Sequence, residues 1–200
     1  MIVAAEEGRI SAVKALKEVD HYGVVPVVNG VRGPLHVAAR YGYAKVIDVL
    51  LKIGRFKADI QTEPDRVTPL HLAAEYGHVE ATKSLIAGGA SPWAYKMSTV
   101  KGENPMHRAA SNCHIEAQKL LLSSKEGVKF ASSTDRNNKG PLYYAASGGH
   151  VNAIVLLQKS GSIGFTDNDG KRPWQIAEEQ DHLEAARLVQ ASDDRPVSAN

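Results

Sequence analysis

The sequence predicts an all-α protein of stacked helix-turn-helix units, and three observations carry that prediction. The stretch Thr68-Pro69-Leu70-His71-Leu72-Ala73-Ala74-Glu75-Tyr76-Gly77-His78 recurs in recognisable copies from one end of the chain to the other. Its prolines, Pro34, Pro69, Pro105, Pro141 and Pro173, lie 35, 36, 36 and 32 residues apart, a period that marks a solenoid of repeats. Each copy is followed by a segment that is apolar on one helical face and charged on the other.

Size and composition fit this reading. The chain has 200 residues, 43% of them hydrophobic and 6% aromatic, as expected where helices pack through Ala and Leu. Repeats contact mainly their neighbours, so residues 1–190 are expected to form a single domain. Nothing approaches the roughly 18–20 uninterrupted apolar residues that span a bilayer. Glu6 and Glu7 stand where a secretory signal carries cations. Neither export nor membrane insertion by this segment is expected. The single cysteine, Cys113, excludes an intrachain disulfide and fits a reducing compartment, so cytoplasm is expected, with nucleus as the alternative. The formal charge of +2 comes from 24 basic and 22 acidic residues that are interspersed. That is not the basic stripe that contacts phosphates, and no nucleic-acid partner is expected.

Taken in order, residues 1–19 read as an incomplete first repeat or N-terminal cap, with Ala4-Ala5-Glu6-Glu7-Gly8 as a partial copy and Ile10, Val13 and Leu16 on one helical face. Residues 20–32 form an irregular connection around the apolar run Val24, Val25, Val27 and Val28, readable as a local strand or as a cover for the first helix pair. Regular repeats then occupy 33–64, 65–100, 101–137 and 138–168, with a closing repeat at 169–190 and a disordered tail at 191–200.

Within a repeat, proline opens the first helix, where the missing amide proton has no intrahelical partner and the fixed φ is already helical. Thr68 or Asn104 just before it caps the helix by accepting from the orphan amides. The paired alanines one turn later allow close approach of neighbouring repeats, and larger residues there would overpack the seam. Gly42, Gly77 and Gly149 end the first helix where φ must be positive. A second helix begins at a branched apolar residue and ends in leucines: Val46, Leu50, Leu51; Val79, Leu85, Ile86; Ile115, Leu120, Leu121; Val151, Leu156, Leu157; Leu183, Leu188, Val189. Lys45, Asp48, Lys52, Glu80, Lys83, Glu116, Lys119, Glu184 and Arg187 are assigned to the solvated faces.

Helix, turn, helix and a polar connection at this period, with the Thr-Pro-Leu-His-Leu-Ala-Ala run, Gly77-His78, and Gly88-Gly89-Ala90-Ser91 before a loop, resemble the ankyrin repeat. The resemblance covers residues 4 to 190. It implies projecting β-hairpin loops and a protein-binding role as adaptor, scaffold or targeting domain. The alternative it leaves is a cytosolic regulatory array of a larger membrane protein, channel or multidomain enzyme. Departures from the pattern are Cys113 and Asp181 at glycine positions, which predict strained or differently closed helix ends. Tyr143 replaces the loop-facing histidine, and Glu178 replaces the second alanine, where no further repeat is expected to stack.

Eight histidines invite a metal or catalytic reading, but the repeat explains seven. His36, His71 and His107 are expected to bond loop backbone, as the resemblance implies, and His78, His114, His150 and His182 follow the helix terminator; His21 is left unexplained. Equivalent atoms in neighbouring repeats stand roughly 10 Å apart, the spacing of packed helices, too far to share zinc at about 2 Å per ligand. Cys113 and His114 are chain neighbours with no orienting Asp or Asn, not a nucleophile and its base. No phosphate-binding glycine loop is present. No catalytic, cofactor or metal residue is assigned, and the chain is not expected to be an enzyme.

A partner protein or peptide is instead expected to meet positions the framework leaves free: the residue before each Thr-Pro position and the two after each alanine pair. These are Arg32, Arg40 and Tyr41; Val67, Glu75 and Tyr76; Glu103, Ser111 and Asn112; Lys139, Ser147 and Gly148; Lys171, Glu179 and Gln180. Tyr41 and Tyr76 occupy equivalent positions and are expected to align beside Arg40 and Glu75, a composition typical of binding hot spots. Trp93, Tyr95 and Met97 lie near a loop tip, where Trp93 has two readings: a partner contact or a fold-back onto the neighbouring loop. The 123–139 connection, with Lys125, Lys129 and Arg136, is a second candidate contact or a tolerated insertion.

Overall fold

The computed structural model describes residues 33–54, 56–91, 99–124 and 127–193. The partial repeat at 1–19, the connection at 20–32, and Arg32, Trp93, Tyr95, Met97 and Lys125 lie outside these residues. The chain divides into two compact halves, one ending at Val100 and the other beginning at Lys101.

In the N-terminal half, α1 (Pro34–Arg40) and α2 (Ala44–Lys52) form one repeat, and α3 (Pro69–Glu75) and α4 (Val79–Ala87) the next. First helix packs on first helix, α1 on α3, and second on second, α2 on α4. The C-terminal half begins with α5 (Pro105–Ser111) and α6 (Ile115–Leu122), followed by a short α7 (Gly127–Ala131) inside the 123–139 connection. Two more pairs follow, α8 (Pro141–Ser147) with α9 (Val151–Lys159), and α10 (Pro173–Glu179) with α11 (Leu183–Asp193). Here too α5, α8 and α10 pack in succession, as do α6, α9 and α11. The fold is all-α, with the stacked helix pairs that the sequence predicts.

The start of each first helix works as anticipated. Thr68 Oγ1 accepts from the His71 amide at 3.3 Å, and Asn104 Oδ1 from the Met106 and His107 amides at 2.9 and 3.2 Å. The histidine returns the bond: His71 Nδ1 accepts from the Thr68 amide and His107 Nδ1 from the Asn104 amide, each at 3.2 Å. Cap and third helical residue thus satisfy each other's orphan groups. Gly33 and Gly140 offer no capping side chain, leaving the fixed φ of Pro34 and Pro141 to set the first turn.

Ala38, Ala39, Ala73, Ala74, Ala109, Ala110, Ala145 and Ala146 are all fully buried, which places the alanine pair in the seam between first helices. Gly42 and Gly149 take left-handed φ of +74° and +65°. A Cβ on Gly42 would stand 2.7 Å from His78 Nδ1, and one on Gly149 the same distance from His182. Cys113 and Asp181 adopt this conformation too, at +57° and +59°. The helix ends are closed as in the glycine repeats, so the strain predicted there is present at both.

The second helices bury a slightly different face from the one expected. Buried positions run Val46, Ile47, Leu50; Ala81, Thr82, Leu85; Ala117, Gln118, Leu121; Ala153, Ile154, Leu157; Ala185, Ala186, Val189. Val79, Ile115 and Val151 are only partly covered, and Leu183 is 53% exposed. Two residues before the buried position, the opening residue is turned about 200° around the helix from it. The nine charged residues assigned to the solvated faces are all exposed.

The loops also depart from expectation. Among the described residues no strand is present; the loops at Asp135 and Asp167 close as tight turns. Asp135 N donates to Lys139 O at 3.0 Å and Asp167 N to Lys171 O at 2.9 Å. The aspartates close the turns with their side chains as well: Asp135 Oδ1 accepts from the Asn137 and Lys139 amides, both at 2.8 Å, and Asp167 Oδ1 from Asp169 and Lys171 at 3.0 and 2.9 Å. Polar turn residues with no alternating apolar run favour this closure over a ladder. Successive turns are joined by single bonds, Arg136 N to Lys101 O at 3.0 Å and Asn168 N to Asn137 O at 3.1 Å. The last helix continues to Asp193, past the boundary at 190, with Ser192 accepting from Gln158 at 2.8 Å.

Candidate functional site

Histidines set the backbone from which the free positions project. His36 Nε2 donates to Val67 O at 3.0 Å, and His107 Nε2 to Lys139 O at 3.2 Å. First helix and following loop are thereby tied together, as the resemblance implied. The second histidine set ties repeat to repeat: His78 Nε2 bonds Arg40 O and His150 Nε2 bonds Ser111 O, each at 2.9 Å. The carbonyls engaged are the last of a helix, which otherwise lack partners.

In the N-terminal half, Tyr41 and Tyr76 cap α1 and α3 with nearly the same backbone, φ of −97° and −98°. They are 46% and 40% exposed. The Arg40 guanidinium lies 5.3 Å from the centre of the Tyr76 ring, within cation–π range. Tyr41 stacks on Tyr43 and Tyr76 on His78, so each ring packs against a neighbour in its own repeat, and Tyr76 also against Arg40 of the repeat before. Glu75 is half-buried on the same helix end. Val67 differs: it is 8% exposed, its amide donates to Thr62 Oγ1 at 3.1 Å, and its carbonyl takes His36, so its atoms serve the fold and little surface remains for a partner.

In the C-terminal half, Ser111 and Asn112 are exposed at the end of α5, where Asn112 Nδ2 donates to Arg108 O at 2.9 Å. Glu103 is drawn inward. Its carboxylate is 2.9 Å from the Arg108 guanidinium, with 12% of its side chain exposed, and Oε1 is 3.5 Å from the Tyr144 hydroxyl. Tyr144 donates to Asp135 Oδ2 at 2.8 Å, and burial together with these carboxylates raises its hydroxyl pKa. Tyr143, standing where other repeats carry histidine, is buried. Burial and the neighbouring Asp167 carboxylate raise its pKa as well. Lys139 Nζ sits 4.7 Å from the centre of the Tyr143 ring and 3.8 Å from Asp167 Oδ2. Burial opposes ionisation of Asp167, but its turn amides, Tyr143 and Lys139 outweigh it and hold the carboxyl below its ordinary value.

These groups border an open cleft of about 440 Å³ whose lining includes Lys101, Glu103, Lys139, Tyr143 and Tyr144, together with Ile176 of α10 and Gln180. The free-position rule reaches Glu103, Lys139, Ser147 and Gln180 here but misses Lys101, Asn137, Tyr143, Tyr144 and Ile176. Lys129 and Arg136 of the 123–139 connection are exposed, with Ala131 of α7 buried beneath.

Among the described residues, no three His, Cys, Asp or Glu side chains are close enough to hold one metal ion. None of the described helices is long and apolar enough to cross a membrane. Residues 35–132 match the family model for ankyrin repeats, in three copies. A comparison with curated proteins found no match.

Proposed function

Because residues 35–132 are ankyrin repeats, a family that in general binds other proteins, we propose that this chain is a non-catalytic interaction module. It engages a partner protein through the free face of its first helices, acting as an adaptor, scaffold or targeting domain. One observation carries the reading: Tyr41 and Tyr76 close consecutive first helices with large apolar rings left 46% and 40% exposed. The framework does not require them, since the equivalent positions of later repeats hold Asn112, Gly148 and Gln180. Rigid aromatic rings beside an arginine bind at low entropic cost.

The test is capture of partners from a native lysate by the wild-type chain and by the Tyr41→Ala/Tyr76→Ala variant. The variant loses a protein the wild type retains, while its thermal midpoint falls by only a few degrees, as expected for losing stacking worth roughly 0.5–1 kcal/mol. Equal capture by both chains, or a collapse in stability, refutes the reading.

A further inference from the structure

The cleft of the C-terminal half carries chemistry that the tyrosines of the N-terminal half do not. We propose that it binds an acidic segment of a partner protein, with Lys101 and Lys139 pairing the segment's carboxylates. This rests on the reading of the chain as a protein-binding module and adds to it a second place and a partner chemistry.

The charge on the walls selects the ligand. Two ammonium groups and one carboxylate line the cleft, and that carboxylate, Glu103, is committed to Arg108 at 2.9 Å with little of it exposed. Lys101 is exposed, and its carbonyl accepts from Arg136 N at 3.0 Å, which fixes the root of the side chain at the rim. Lys139 is held upright between the Tyr143 ring at 4.7 Å and Asp167 Oδ2 at 3.8 Å, too long for a full hydrogen bond. Its ammonium therefore keeps protons to donate. Asp135 and Asp167 are both buried: Asp135 accepts from backbone amides and Tyr144, Asp167 Oδ1 accepts from backbone amides, and Asp167 Oδ2 has, among the described residues, only the 3.8 Å ion pair with Lys139.

The neutral groups agree. The Tyr144 proton goes to Asp135 at 2.8 Å. Ser147 Oγ donates to Gln180 Oε1 at 3.3 Å, so that oxygen already has a donor. A carboxylate would match the ammonium groups of Lys101 and Lys139 where a basic segment would repel them. The volume, about 440 Å³, lies within the range of ligand-binding clefts.

The experiment is selection of a random bead-bound decapeptide library by the wild-type chain, by Lys101→Gln, and by Lys101→Gln/Lys139→Gln. The wild type is expected to enrich Asp and Glu. A selected acidic peptide, measured by fluorescence anisotropy, should bind about two- to fivefold more weakly to Lys101→Gln, weaker again to the double variant, and less well in 300 mM than in 50 mM salt. Lys101→Gln alone tests the idea should the double variant fold poorly. No enrichment, enrichment of basic or apolar residues, or affinity indifferent to Lys101→Gln overturns the proposal. These results leave the tyrosine surface untouched, since Tyr41→Ala/Tyr76→Ala tests it separately.

Discussion

Acidification should destabilise this protein through one buried imidazole, that of His107. The ring is 1% exposed, with Nδ1 accepting from the Asn104 amide at 3.2 Å and Nε2 donating to Lys139 O at 3.2 Å. A proton on Nδ1 would break the bond from the Asn104 amide, and Asn104 Oδ1, 2.8 Å away, already accepts from the Met106 and His107 amides. Burial, reinforced by Arg108 and only partly offset by Asp135 and by the Lys139 and Ser133 backbone, lowers the pKa from 6.5 to about 4. The folded pKa lies below the unfolded one, so between these values the unfolded chain binds more protons and stability falls as pH falls. Neutrality of the ring contributes about 3 kcal/mol at pH 7, of which roughly 2 kcal/mol is lost by pH 5 and the rest by about pH 3. Urea unfolding of the wild type and His107→Gln between pH 7 and 5 isolates this ring from other titrating groups. The gap in stability between the two chains should narrow by about 2 kcal/mol across that window. Parallel profiles, or an NMR titration of His107 with its midpoint near 6.5, would refute the assignment.

Two further predictions concern the framework. Thr68→Ala removes the acceptor for the His71 amide and the 2.8 Å contact between hydroxyl and imidazole; it should cost about 1 kcal/mol in urea unfolding, and a loss near zero would mean the helix start is held by Pro69 alone. Gly42→Ala combines φ of +74° with a Cβ 2.7 Å from His78 and should cost at least about 1–2 kcal/mol. Cys113→Gly relieves the same conformation at +57° and should stabilise by up to about 1 kcal/mol, the gain being reduced by the greater freedom of glycine in the unfolded chain; a net loss would show that the thiol packs usefully.

What could be read from the sequence was what repetition enforces. The proline start, the alanine seam, the glycine stop and the histidine bonds recur because every repeat must solve the same packing problem, so each copy checks the others. Even the exceptions followed, since Cys113 and Asp181 take the glycine conformation their positions demand. The tight turns were not legible. A hairpin ladder and an aspartate-closed turn use the same polar residues, and only the bonds from Asp135 and Asp167 to amides two and four residues on distinguish them.

The cleft was partly hidden for a related reason. A rule that assigns function to positions outside the framework finds Lys139 and Gln180 but misses Tyr144, whose hydroxyl reaches Asp135 nine residues earlier in the chain. It also mistakes Val67 for free, because the bonds that pin its backbone come from His36, 31 residues away. Glu103 shows the same effect in charge: its position is unconstrained by the repeat, yet Arg108 claims the carboxylate. With Glu103 held by Arg108, the cleft walls present the ammonium groups of Lys101 and Lys139, the latter 3.8 Å from Asp167 Oδ2, and it is with these two groups that the proposed acidic partner would pair. Which charges a cleft offers after folding is a property of contacts between repeats that composition, with its balance of 24 basic and 22 acidic residues, cannot express.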